Sequence, residues 1–303
     1  MANSNNRIKE PETVHHLVSR IAHRVYFLKD EERDEFIDMM RRTAEFCGIK
    51  LIGWCIMTNH FHILAYLPQP QALEEDEILR RYGVLKGQSA ASALSRTFDK
   101  WRREGVSGEK RVREELEKIS GRMYDIGSFM KILKQWVTME YNRRYSHKGT
   151  LWESAYYDRV IGLSSSKIAE CLGYIHLNPI RAAASDRFDG YFWSSYTAFI
   201  RGNQLAEKGM RFVYGENISR DEIVCSHNLD TLRCKTKTTT QWLSFLVLSG
   251  KRELHPRFAC VFSRELYLHP RPLEGEHWGR SVESSLPIMQ NEKRQPLAVF
   301  FVS

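Results

Sequence analysis

The sequence predicts an α+β fold, a split β-α-β antiparallel sheet with helices on one face. Three observations carry this expectation. Residues 49–67, IKLIGWCIMTNHFHILAYL, are rich in β-branched and aromatic residues and are broken once, at Thr58-Asn59, so they read as two strands joined by a tight turn. A stretch with apolar residues at helical spacing stands before this pair and another after it. An extended segment lies outside each helix, so the order is strand, helix, strand, strand, helix, strand, that of a ferredoxin-like sheet.

Taken in order, Thr13 to Ala22 is the first, β-branched strand. Asp30 is placed to cap an acidic first turn, and Phe36, Ile37, Met40 and Ala44 mark the buried stripe of a helix through Phe46. The two central strands follow. Residues 69–125 change character: QPQALEEDE is polar and acidic, and the mixed charges beyond it read as solvated helix faces. This segment is expected to be an inserted helical excursion that leaves and returns at one edge of the sheet, separable from it because loop closure costs grow slowly with length. From Ile126 a second core helix carries Phe129, Leu133, Trp136, Val137 and Tyr141, and Leu151 to Ile161 reads as the last strand. A serine among Ser164, Ser165 and Ser166 caps a third helix to about Leu177, stopped by Asn178-Pro179 because proline disfavours helix in the residue before it.

Composition sets the class of partner. With 45 basic and 37 acidic residues in 303, the formal charge of +8 favours an anionic partner, nucleic acid first. An apolar fraction of 42% is enough for a real core and argues against wholesale disorder. The six cysteines are scattered without a C-x-x-C pair, which fits free thiols in a reducing compartment. The N-terminus is polar where a secretory signal needs an apolar core, and no window supplies the run of about 18 apolar residues of a membrane span, so a cytoplasmic protein with no membrane partner is expected.

Candidate chemistry concentrates at His60-Phe61-His62. Strand alternation sends both imidazoles to one face and Phe61 to the other, so the pair can chelate a cation or stand as bystanders. Neutral imidazoles suit Mn(II), and with an oxygen ligand and waters Mg(II) is acceptable, whereas zinc would ask for one more strong ligand. Further on, Tyr174 and Asn178 are four apart on one helix face, away from the apolar stripe of Ile168, Leu172 and Ile175. Local pattern alone reads Tyr174 as a core-edge tyrosine with its hydroxyl in water, Asn178 as a helix cap, and His176 as structural.

Four stretches in this order, GIKLIGWCIMTNHFHILAYL, FMKILKQWVTMEYNRRYSHKGTLWE, YIHLNPIRA and FWSSYTAFI, together with the opening VHHLVSR, resemble the REP-associated tyrosine transposases, a branch of the single-tyrosine HUH endonucleases. The resemblance runs from about Val14 to Ile200, interrupted at 69–125. It implies the HUH endonuclease fold, with a catalytic domain over 13–200 and a C-terminal extension of unknown role over 201–303. It further implies that His60 and His62 are metal ligands, Asn178 the third polar ligand, and Tyr174 the nucleophile. The implied cofactor is a divalent metal, Mg(II) or Mn(II), and the implied activity is cleavage and strand transfer of single-stranded DNA through a 5′-phosphotyrosine. A phenol with a pKa of about 10 is a poor nucleophile at neutral pH, so charge stabilisation by the cation suits that chemistry. Thr58 stands where the family has proline, which alters the turn and not the chemistry. After GTLWE the family's basic pair is replaced by Ala155 and Tyr157, and Arg159 is the candidate substitute for phosphate contact.

Basic residues interleaved with aromatics in YNRRYSHKGTLW make Arg143, Arg144 and Lys148 candidates to track a DNA backbone, the alternative being a solvated helix end. The expected partner is single-stranded or hairpin DNA, bound by a monomer or homodimer. Three classes stay open: a nickase and strand transferase, a non-cleaving protein of the same fold that recognises hairpin repeats, and a metallohydrolase that uses water and leaves no covalent adduct.

Overall fold

The computed structural model describes residues 10–22, 28–228 and 230–231. Strand β1 (Thr13–Arg20) leads to α1 (Asp30–Cys47), then β2 (Lys50–Ile56) and β3 (His60–Leu67) form the hairpin. Helices α2 (Glu75–Lys86), α3 (Gln88–Arg102) and α4 (Val106–Ser120) intervene before α5 (Ile126–Tyr145), β4 (Tyr157–Ile161) and α6 (Ser165–His176). Short α7 (Asn178–Arg181) and α8 (Ser195–Ile200) precede α9 (Gln204–Tyr214). The strands form one sheet in the order β2-β3-β1-β4, every neighbouring pair antiparallel, so the fold is α+β with the split β-α-β topology.

Helix α1 starts one residue earlier than its expected cap. The Glu32 carboxylate accepts the backbone N–H of Lys29 at 2.5 Å, while Asp30 lies inside the first turn and pairs with Arg33. The hairpin turn is where the sequence breaks: the N–H of Met57 reaches the His60 carbonyl, and the carbonyls of Thr58 and Asn59 accept from Leu28 and Ile21.

Both faces of the central strands are buried, as their near-continuous apolar runs require. On one face Phe61 meets Phe36 of α1 at 4.9 Å and Trp152, which bonds α5, at 5.7 Å between ring centroids, so α1 and α5 lie on this side. The expectation of helices on one face holds for this pair and fails for the sheet as a whole, because the opposite face carries α6 and α9. Two glycines let them approach. A Cβ on Gly53, at the β2 bulge, would lie 2.2 Å from Leu172 Cδ1 of α6, and one on Gly209 of α9 would lie 2.1 Å from the Ile52 carbonyl oxygen. The core therefore continues past Ile200, with Ala206, Met210, Val213 and Ile223 buried in it.

Two further expectations change. The last strand is only Tyr157–Ile161: Trp152 makes an isolated bridge to Ile21, and its indole N–H goes to Lys134 O and Thr138 Oγ1 of α5, which draws the chain off the sheet. The inserted segment is not a detached excursion. Arg42 of α1 donates to the carbonyls of Val84 and Leu85, and Ile78, Leu85 and Ile119 are buried in the same core as the sheet. No helix among the described residues is long and apolar enough to cross a membrane.

Candidate active site

Strand alternation and register assemble the site. His60 and His62 project from the face of β3 that α6 covers, their rings 5.2 Å apart and nearly perpendicular. The His62 side is shut in, at 5% exposure, while His60 is half-buried. Tyr174 comes to them from α6: its ring lies edge-on to His62 at 5.9 Å, and 40% of the residue remains exposed. Its position follows from the apolar stripe, since Ile168, Leu172 and Ile175 bury themselves against the sheet and leave Tyr174 at the margin. Asn178 donates its amide N–H groups to the carbonyls of Tyr174 and Ile175, at 3.0 and 3.1 Å, so it caps α6 beside the tyrosine. The structure thus brings Tyr174 to His62 and His60, with Asn178 at the end of the tyrosine's own helix.

The imidazoles are neutral at physiological pH. Burial, with Arg20 nearby, lowers His60 to about 4, and burial together with His16, His60, Arg20 and Arg181 holds His62 well below the ordinary imidazole value. The Asn59 Oδ1 atom lies 2.7 Å from His60 Nδ1. An amide oxygen only accepts, so Nδ1 carries the hydrogen and the Nε2 lone pair of His60 is left for a ligand. Among the described residues no group of three or more His, Cys, Asp or Glu side chains could hold a metal ion. Two neutral nitrogens and one amide oxygen nevertheless fit a hard or borderline divalent cation that takes its remaining ligands from phosphate and water.

Sequence reasoning missed part of the site. His16 of β1 lies nearly coplanar with His62 and at an edge angle to Tyr174, with ring centroids 5.2 and 6.0 Å away. Arg20 stands opposite His60, and the Arg181 guanidinium sits 4.7 Å over the Tyr174 ring. None of these is readable from local spacing, because they meet the histidines only through the β1–β3 pairing and the turn after α6. Of the four predicted DNA contacts, Arg159 is exposed on β4 opposite His16, hence on the histidine-bearing face. Arg144 is instead paired with Glu32 and Glu35 of α1, at 3.2 and 2.7 Å, and Arg143 with Glu140 at 2.6 Å. Lys148 is exposed in the turn after α5. Arg144 is thereby held on the α1–α5 side of the sheet.

His176, read from the sequence as structural, is fully packed beneath α6. Its Nε2 lies 2.7 Å from Ser195 Oγ, which accepts the backbone N–H of Trp54, and its Nδ1 lies 2.7 Å from His227 Nε2. His227 in turn meets the Tyr214 hydroxyl at 2.9 Å, and a Cβ on Gly173 would lie 3.2 Å from the Thr231 Cα. The helix that bears Tyr174 is therefore tied both to β2 and to residues well beyond 200.

The family model described as "Transposase IS200 like" matches residues 11–109. Among solved structures, that of a REP-associated tyrosine transposase bound to a REP hairpin is similar at 10% identity and a TM-score of 0.42, over 66% of this chain and 86% of that one. No curated protein matches. The resemblance read from the sequence is borne out where the sheet is built: over residues 11–109, from β1 through both candidate ligands on β3, the chain is similar to the IS200-like transposases.

Proposed function

We propose that the protein is a metal-dependent endonuclease and strand transferase for structured single-stranded DNA, acting in transposition or repeat-element mobilisation. The observation that carries this reading is the edge contact of the Tyr174 ring with His62, beside a second neutral imidazole. The Tyr174 hydroxyl attacks the scissile phosphorus and gives up its proton as the bond to the 3′-oxygen breaks. That oxygen takes a proton and leaves as a 3′-hydroxyl, with the 5′ end held as a phosphotyrosine. Attack by another 3′-hydroxyl reverses the step, so joining needs no ATP. When bound, a divalent cation, Mg(II) or Mn(II), supplies charge stabilisation at the scissile phosphate. His60, His62 and Asn178 are the residues that would hold it. Arg20, Arg159 and Arg181 add positive charge around the histidines, which suits a phosphate backbone.

The test is incubation with labelled hairpin DNA and Mg(II) or Mn(II), followed by denaturing electrophoresis. Wild-type protein is expected to give a covalent protein–DNA adduct. Tyr174→Phe is expected to give none while binding the hairpin normally, because only an edge hydroxyl is removed. Binding without an adduct in the wild type would favour a non-cleaving hairpin-recognition protein, and cleavage retained by Tyr174→Phe would favour hydrolysis by water.

A further inference from the structure

Two adjacent histidines on β1 do different work. His15 faces the α1–α5 side, where its Nδ1 lies 2.8 Å from Asp158 Oδ1 and its Nε2 2.9 Å from Thr13 Oγ1. His16 faces the site. It is 8% exposed, its ring lies end to end with that of His62, nearly in one plane with 22° between them, and its Nε2 is 3.0 Å from His62 Nδ1. Two neutral imidazoles joined by one such bond share a single hydrogen. If His62 Nδ1 holds it, the Nε2 of His62 is a lone pair. If His16 Nε2 holds it, His62 carries its own hydrogen on Nε2 and cannot ligate through that atom.

On His60 the same choice is already made by Asn59, an acceptor at Nδ1. We propose that His16 is a positioning residue that does the equivalent for His62: it accepts the Nδ1–H of His62 and so leaves the Nε2 lone pair as that ring's ligating position. This rests on the reading of His60 and His62 as a cation site. The buried hydrogen bond also orients the His62 ring, which lies nearly in the plane of His16 with the Tyr174 ring across it. His16 therefore acts through His62 and not by touching DNA or the cation.

The tautomer is read directly from histidine-labelled wild-type protein, metal-free, by long-range proton–nitrogen correlation spectra at pH 7. His60 and His62 are both expected with the hydrogen on Nδ1. An Nε2–H tautomer at His62 would overturn the proposal. A second arm titrates Mn(II) alone into folded variants, with thermal melts by circular dichroism as a check on folding. His16→Phe keeps the ring without an acceptor and is expected to weaken Mn(II) binding by about 10- to 100-fold, the usual cost of losing a ligand-orienting partner. His16→Gln restores an acceptor and is expected to recover most of that loss, which a purely packing role would not. Unchanged affinity in His16→Phe refutes the role. If wild-type protein takes up no Mn(II), the cation reading itself fails, and the tautomer still decides the role of His16. An Nε2–H tautomer together with tight Mn(II) binding sinks only the role of His16.

Discussion

Replacing Gly53 by alanine tests whether the tyrosine helix is seated on β2. The new Cβ would lie 2.2 Å from Leu172 Cδ1 and 3.1 Å from Ser195 Oγ, far inside van der Waals contact. Leu172 is completely buried and has no solvent to rotate into, so the helix must give. Inserting a methyl group into such a core costs about 1–3 kcal/mol. At about 2 kcal/mol, Tm falls by roughly 4–8 °C in a domain of this size. Leu172→Ala alone should cost about 2–5 kcal/mol through the space it opens. In the double variant the alanine methyl enters that space, so the combined cost should fall short of the sum by about 0.5–3 kcal/mol. Urea unfolding followed by tryptophan fluorescence measures all three, since Trp54 is buried beside Gly53. Leu172 precedes Tyr174 by two residues, so displacing it also misplaces the hydroxyl, and an error of about 1 Å can cost on the order of 100-fold in rate. Adduct formation by Gly53→Ala should therefore drop further than its folded fraction. Strictly additive stabilities together with an unchanged adduct rate would refute the seating of α6 on Gly53.

Burial lowers His227 to about 3, and burial with His227 beside it holds His176 well below 6.5, so the folded state binds fewer protons than the unfolded chain as pH falls below about 6.5. Stability is full above that pH and should decline towards pH 5 with a slope of at most about 1.4 kcal/mol per pH unit per histidine; an unchanged urea midpoint between pH 7 and pH 5 would exclude this. Deleting residues 71–122 removes the buried side chains Ile78, Leu85 and Ile119, each contributing about 1.5–3 kcal/mol, so the shortened protein should lose most or all of its cooperative thermal transition; a wild-type Tm would restore the detachable reading of this segment. Arg159→Ala should weaken hairpin binding and reduce the slope of log affinity against log salt by about 0.7, one single-strand phosphate contact, whereas Arg144→Ala, which breaks pairs with Glu32 and Glu35, should change that slope less.

Sequence by itself determined most of the core elements and which side chains of the candidate site share a face. Periodicity placed α1, α5 and α6 within a residue or two, because each buries one stripe and its caps are local. The β-branched run around Thr58-Asn59 could only be a hairpin, and a period of two put His60 and His62 on one face. The four-apart spacing of Tyr174 and Asn178 put them on one turn of helix, where Asn178 does cap the chain as read. What tertiary structure alone decided are relations between residues far apart in the chain. His16 lies beside His62 only because Val18 pairs with His62 in the β1–β3 register, and a slip of one residue would send it to the other face. The ion pairs of Arg144 with Glu32 and Glu35 exist because α1 lies alongside α5, which no charge pattern within YNRRYSHKGTLW reveals. The second helical layer came into view only with Gly53 and Gly209, since two missing Cβ atoms mark the contact of α6 and α9 with β2, and a glycine in a sequence does not say what has come close to it.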